Sequence, residues 1–392
     1  MELMPGFWPP KPNGFWNTAL EPLRKYYLHS FYQISEVQIA GTEHLNRIGA
    51  ADGALLAPNH SHDSDPHVMM HVGKQLHRQL YFMAAWQVFL AHKGIDGFVM
   101  QRMGAFSVDR EGCDRRAMRQ AQELLGQGRW LVVFPEGEIY HTNERLTPLR
   151  EGVAFMAITS QRDLEKANAG RQIWVVPTAI RYTFEEDITP KLEAAVTALE
   201  ARILLKPKPG TPLHERIIAF GEAMLTIKEK EKLGHSQEND GDLPTRLHRF
   251  IDRLLEKHEI EQFKKPSPDE SVPLRVKTLR RSLLEKMCDE QLSDDDRLAA
   301  KDSLEDLHLV LQLYSYPGYY VSTKPSIERM AETVEKFEED LIGVAAPKGK
   351  RRATVKFGEP LDVKRHTTAR ARKAAEELTA RLEESIISLV AM

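Results

Sequence analysis

Short apolar runs that stop at prolines punctuate the first half of the chain. Ala54-Leu55-Leu56-Ala57 ends at Pro58-Asn59, Leu131-Val132-Val133-Phe134 ends at Pro135, and Ile173-Trp174-Val175-Val176 stops before Pro177. Continuous apolar runs of this length predict strands covered on both faces. Helical stretches lie between them, including Arg115 to Leu125 and Gly152 to Ser160. From about Val37 to Tyr182 the alternation predicts an α/β fold with a mostly parallel sheet flanked by helices. Ligands of such sheets sit beyond the carboxyl ends of the strands.

After Tyr182 the pattern becomes charge-rich and helical. Thr211 to Leu233 opens on Thr-Pro, and Ser293 to Leu313 opens on Ser-Asp-Asp-Asp, a cap with an acidic first turn. Asn239-Asp240-Gly241 and Pro266-Ser267-Pro268 interrupt this block. A strand signal returns at Ala353-Thr354-Val355-Lys356-Phe357, followed by Gly358-Glu359-Pro360 and a last helix from Thr368 to Val390. The predicted organisation is an aromatic N-terminal segment (1–35), an α/β core (36–188), a large inserted helical subdomain (189–350), and a last core strand with the C-terminal helix (351–392). A second Phe-Gly-Glu, at 220–222, is coincidental, because Ile217, Phe220, Met224 and Ile227 keep helical spacing.

Composition narrows the function class. The 392 residues carry 54 basic and 57 acidic side chains, a net charge of −3, which excludes the strong positive bias of a dedicated nucleic-acid binder. The two cysteines, Cys113 and Cys288, form no CxxC, so no disulfide framework or structural zinc site is expected, and a reducing compartment fits. No apolar run is long enough to span a bilayer. In residues 1–16 the first positive charge is Lys11 and four prolines interrupt the apolar residues, which argues against a secretory signal. Phe7, Trp8, Phe15, Trp16, Tyr26, Tyr27, Phe31 and Tyr32 crowd this end beside Arg24 and Lys25. They read either as an arm packing its rings onto the body or as an interfacial membrane anchor. On the second reading, deleting residues 1–32 reduces liposome co-sedimentation and leaves the fold intact. A basic stretch, 348–373, reads either as a contact for anionic lipid or as a face pairing with the acidic helix Glu328 to Asp340.

Residues 58–67, PNHSHDSDPH, follow an expected strand. His60 and Asp65 are five residues apart, about 140° around a helix, so they meet only if the chain turns between them. Asp63 and Ser64 suit a helix cap and Pro66 a first turn, which puts Asp65 in that turn and His60 in the loop before it. A carboxylate on one imidazole nitrogen fixes the tautomer and leaves the other as a general base. On this loop alone a catalytic pair, a structural pair and a metal site all stay open. Five histidines lie between His60 and His77, but a dinuclear-metal pattern His-x-His-x-Asp-His needs Asp and His where Ser64 and Asp65 stand. Residues 104–110, GAFSVDR, read as a turn-rich stretch whose Arg110 offers a fork of donors for phosphate or carboxylate, or pairs with Asp109 or Glu111 at the surface. In FPEG, Glu136 suits a polyol hydroxyl and Gly137 close backbone approach.

Taken in order, Asn-His-x4-Asp, Gly-x5-Arg, Phe-Pro-Glu-Gly and Val-Val-Pro resemble the glycerolipid acyltransferase family, which includes the lysophosphatidic acid and glycerol-3-phosphate acyltransferases. The resemblance spans about residues 36–182, and Phe-Gly-Glu-Pro at 357–360 is similar to the family's closing strand. It implies that His60 takes a proton from an acceptor hydroxyl while Asp65 orients it, and that the oxygen attacks an acyl thioester directly. No Gly-x-Ser-x-Gly elbow is present, in keeping with transfer lacking an acyl-enzyme. By the same resemblance Arg110 holds the acceptor phosphate, Gly104 shapes its loop, Glu136 and Gly137 contact the glycerol portion, and Pro177 shapes the acyl-donor side. The implied co-substrate is acyl-CoA or an acyl-carrier-protein thioester, with no cofactor and no metal. The implied acceptor is 1-acyl-glycerol-3-phosphate. The implied setting is cytoplasmic and peripheral on the inner face of a membrane, with lipids as partners and no nucleic acid. Many members continue Phe-Pro-Glu-Gly with Thr-Arg, where this chain has Glu138 and Ile139, with Arg145 and Arg150 nearby. The alternatives are a metal-dependent hydrolase built on His60, His62, Asp65 and His67, and a non-catalytic lipid-binding protein working through its helical block.

Overall fold

A computed structural model describes residues 6–110, 114–236, 241–288, 292–368 and 370–391. Glu111, Cys113, Asn239 and Asp240, named above, lie outside the described residues, as does the start of the aromatic segment. The chain divides into two compact units, one of residues 187–348 and the other of the preceding residues together with 349–392.

The second of these is built on one mixed, mostly parallel sheet of eight strands. They are β1 (Ile34–Ala40), β2 (Gly53–Pro58), β3 (Leu80–Ala85), β4 (Ala105–Val108), β5 (Trp130–Val132), β6 (Ile173–Phe184), β7 (Arg351–Phe357) and β8 (Leu361–Asp362). Their order is β1-β7-β6-β2-β5-β3-β4, with β8 on β6. The five strands from β6 to β4 run parallel, while β7 is antiparallel to β6 and β1 parallel to β7. Side chains alternate between two buried faces, which is why the strand runs are continuously apolar. Leu55, Leu131, Val175 and Ala179 face a core made with the helices Arg115–Gly126, Gly152–Lys166 and Ala371–Ala391. Leu56, Val132, Val176 and Ile180 face the other, covered by Val68, Met69 and Val72 of the helix Asp65–Gln75.

Two expectations about the strands change. The third strand does not stop at Pro177 but runs through it to Phe184. Proline lacks the N–H a ladder needs, yet β6 pairs with β8 only at Trp174 and Val175 and with β7 only from Thr178 onward. Pro177 sits at that handover, where the missing donor costs no ladder bond. The GAFSVDR stretch contains β4, a strand too short to show a period.

The aromatic N-terminal segment divides between its two readings. Trp8 stacks on Phe89 with centroids 5.7 Å apart, exchanges backbone and side-chain bonds with Ser107, and Trp16 meets Phe98 edge-on at 5.2 Å. Leu28 is fully buried in the core. A deletion of residues 1–32 therefore removes core packing and does not leave the fold intact. Phe15, Tyr26 and Phe31 keep half or more of their surface exposed.

The 187–348 unit is helical, with six long helices from Thr189–Arg202 to Ile327–Ile342. Leu247, Phe250, Leu254, Leu279, Leu283 and Leu307 fill its core. Ser293 caps the helix Asp294–Tyr314 by accepting from the Asp296 N–H, as its Ser-Asp-Asp-Asp start predicts. Two buried guanidinium–carboxylate pairs, Arg246–Glu229 at 2.7 Å and Arg275–Glu259 at 2.8 Å, cross-link neighbouring helices. Among the described residues no helix is long and apolar enough to cross a membrane.

Candidate active site

At the carboxyl end of β2 the chain leaves the sheet, and Asn59 substitutes for the next ladder step. Its buried side chain donates to the Ile180 carbonyl at 3.0 Å and accepts from the Ile180 N–H at 2.7 Å. The loop then turns at residues 60–64 into the helix Asp65–Gln75, with Pro66 in its first turn. The turn brings His60 and Asp65 together, with Nδ1 of His60 2.9 Å from Oδ2 of Asp65. That same oxygen accepts from the N–H groups of Ser61 at 2.9 Å and His62 at 3.0 Å. Tyr182 donates its hydroxyl to the other oxygen, Oδ1, at 2.5 Å.

Asp65 is 0% exposed and accepts from the Ser61 and His62 N–H groups and the Tyr182 hydroxyl, the behaviour of a carboxylate. The proton between it and His60 therefore sits on Nδ1, which leaves the Nε2 lone pair available. Nε2 has no hydrogen-bond partner among the described residues, and the His60 side chain keeps 14% exposure. The imidazole lies flat on Phe134, centroids 3.9 Å apart and 18° between planes, so its orientation is held from the side as well as from behind.

Glu136 follows β5 and reaches the same loop. Its Oε1 accepts from the His60 N–H at 2.7 Å, and its Oε2 accepts from the N–H of Thr147 at 2.9 Å and from the Thr147 hydroxyl. Burial pushes this carboxyl above its ordinary range, against the pull of those three bonds. Both oxygens are thus engaged by the protein, and Glu136 ties the His60 loop to the 147 segment. Arg110, beyond the carboxyl end of β4, donates Nη1 to the Gly137 carbonyl and to Glu138 Oε2, each at 2.8 Å. Gly137 has φ +79°, and a Cβ there would lie 2.5 Å from Arg150 Nε. The left-handed backbone favours glycine here, and the flexible Arg150 side chain occupies the space a Cβ would take.

Two of the expected residues lie elsewhere. Gly104, with φ +98°, enters β4 at its amino end, where a Cβ would meet the Leu80 carbonyl at 2.9 Å. It is a strand length from Arg110 and does not belong to that residue's loop. Pro177 is buried within β6, its carbonyl accepting from Gly358 N–H at 2.8 Å.

The histidines of the metal alternative do not converge. His62 turns its Nδ1 to Ser64, and burial holds the ring well below its ordinary range. His67 stacks on Tyr27 at 5.4 Å. Among the described residues no group of three or more His, Cys, Asp or Glu side chains is disposed to hold a metal ion.

Tyr182, Thr147 and the role of Asn59 were not singled out from the sequence. Tyr182 lies four residues past the point where β6 leaves β2, a position that emerges only from the strand register, Pro58 opposite Thr178.

Residues 36–181 match the protein-family model described as Acyltransferase. No curated protein matches the chain. The match begins in β1, ends in β6, and encloses His60, Asp65, Arg110, Glu136 and Gly137. Over residues 36–181, then, this chain carries an acyltransferase domain of the glycerolipid acyltransferase family.

Proposed function

We propose that this acyltransferase moves a fatty acyl group from an acyl thioester, carried by coenzyme A or acyl-carrier protein, to the free hydroxyl of 1-acyl-glycerol-3-phosphate. What carries the reading is the His60–Asp65 pair, its carboxylate buried, with Nε2 left without a partner among the described residues. Nε2 takes the proton of the acceptor hydroxyl as its oxygen attacks the thioester carbonyl. The tetrahedral intermediate collapses by breaking the carbon–sulfur bond, and the thiolate leaves with the proton returned from His60. General-base help of this kind contributes about 10²–10⁴-fold. Arg110 serves the acceptor phosphate, and Glu138, its partner at 2.8 Å, must give way as the phosphate enters. The Gly137 backbone lies alongside the glycerol portion, and Glu136 holds the His60 loop.

The lipid acceptor calls for a peripheral enzyme on the inner, cytoplasmic face of a membrane. Support for this comes from the exposed rings of Phe15, Tyr26 and Phe31 and from exposed Phe98, which Trp16 joins to Phe15. The basic stretch contributes less, since Arg352 pairs with Glu36 and Glu185, Arg365 with Asp362 and Arg372 with Glu376.

An acceptor panel tests the reading, with oleoyl-CoA and oleoyl acyl-carrier protein each offered glycerol-3-phosphate, 1-oleoyl-glycerol-3-phosphate and 1-oleoyl-glycerophosphocholine. The expected result is thiol release with 1-oleoyl-glycerol-3-phosphate that drops at least a hundredfold in His60→Ala. Undiminished transfer by that variant rejects the mechanism.

A further inference from the structure

We propose that Tyr182 is a positioning residue of the His60–Asp65 pair, its hydroxyl setting how firmly Asp65 holds the His60 imidazole. The proposal rests on the general-base reading above and deepens it. Tyr182 lies near the end of β6, beyond the point where that strand leaves β2, so its side chain reaches the loop that β2 feeds. Its backbone is clamped there by Asn143, which accepts from the Tyr182 N–H at 2.8 Å and donates to its carbonyl at 2.6 Å. The hydroxyl donates to Asp65 Oδ1 at 2.5 Å and accepts from Ser64 Oγ at 2.9 Å.

The two carboxylate oxygens of Asp65 are therefore divided between tasks. Oδ2 serves His60 and the loop N–H groups, and Oδ1 serves Tyr182. Asp65 has no exposed surface, so water cannot replace a lost donor. Burial and the Asp65 carboxylate hold the phenol well above its ordinary range, so it stays a donor wherever an imidazole base works. Other titratable or charged groups facing the network are His62 and Asp63 on the loop, Glu136, His141, Tyr32 and Arg351 of β7. None of these donates to Oδ1.

The direction of the effect follows from the charge. Without the Tyr182 donor the Asp65 carboxylate loses one of the bonds that fix its plane, so the imidazole is aimed less well and kcat falls. Negative charge meanwhile gathers toward Oδ2 and favours the imidazolium, which moves the acid limb up. Tyr182→Phe keeps the ring, its packing against His62 at 5.2 Å and the Asn143 clamp, and removes only the hydroxyl. The expected result with oleoyl-CoA and 1-oleoyl-glycerol-3-phosphate is a kcat lower by roughly ten- to a hundredfold, the range of one hydrogen bond to a charged group. The KM values stay near wild type, and the acid limb of kcat/KM moves up by about one pH unit. A 3-fluorotyrosine placed at position 182 is nearly isosteric and a stronger donor, so it moves the acid limb the other way and guards against a folding defect.

A purely structural Tyr182 predicts no movement of the acid limb in either protein, and that result overturns the proposal while a dead His60→Ala leaves the general-base reading standing. If His60→Ala is active, that reading falls. The titration of the His60 imidazole by NMR, its resonance identified by loss in His60→Ala, then decides for Tyr182 without turnover. A midpoint displaced in opposite directions by the two changes supports the proposal, and an unmoved midpoint overturns it.

Discussion

Glu136 shows how a single buried carboxylate can shape a site without facing it. Each of its oxygens accepts from N–H or O–H groups of segments that are far apart in sequence, the His60 loop and Thr147. Glu136→Gln keeps the volume but turns one acceptor into a donor, which then opposes either the His60 N–H or the Thr147 N–H. Leaving such a buried group unmatched costs about 1–3 kcal/mol. The expected outcome is a lowered melting temperature together with reduced kcat, measured by calorimetry and by thiol release. A variant with full stability and full kcat would show that the tie is dispensable. The residues flanking Glu136 were legible as a motif because Phe134, Pro135 and Gly137 sit in one stretch. Its partners were not, since nothing local ties residue 136 to residue 60 or 147.

At the scale of elements, the strands that could be read were those buried on both faces. Ala54–Ala57 and Leu131–Phe134 announce themselves by unbroken hydrophobicity, and so does the first part of β6. β4 escaped because it is four residues long and contains Ser107, and the end of β6 was misplaced because Pro177 looks like a stop. The helix Asp65–Gln75 was legible from its cap and Pro66, and its packing adds a pH dependence. His67 on that helix packs against Tyr27 and Tyr32 of the N-terminal segment, and burial pushes its imidazole down to about 4. A folded-state value below the unfolded one means that the unfolded chain binds the proton first. The stability this residue contributes is present above the unfolded value near 6.5 and is lost as the pH falls from there through 4. Melting temperature should fall across that window, and His67→Phe should flatten the fall. An equally steep decline in His67→Phe would assign the effect to other groups.

For the whole molecule, the aromatic segment both completes the core and leaves rings in solvent. Leu28 and Trp8 belong to the first task, and Phe15 and Phe31 to the second. Phe15→Ser combined with Phe31→Ser should therefore lower co-sedimentation with anionic vesicles while the melting temperature stays near wild type. Vesicle binding equal to that of the parent would remove these rings from the membrane contact.

The sheet also has a history imposed by its strand order. Among the described residues β1 pairs only with β7, and about 310 residues separate the end of one from the start of the other. At a synthesis rate of about 5–20 residues per second, a nascent chain carries β1 without its neighbour for roughly 15–60 s. During that interval Ile34 and Val37, both buried in the finished sheet, have no partner strand to cover them, and the backbone donors and acceptors of β1 form an open edge. The late return of β7 thus makes the earliest strand of the domain the one that waits longest on the ribosome, and it is there that a holding chaperone would have most to protect.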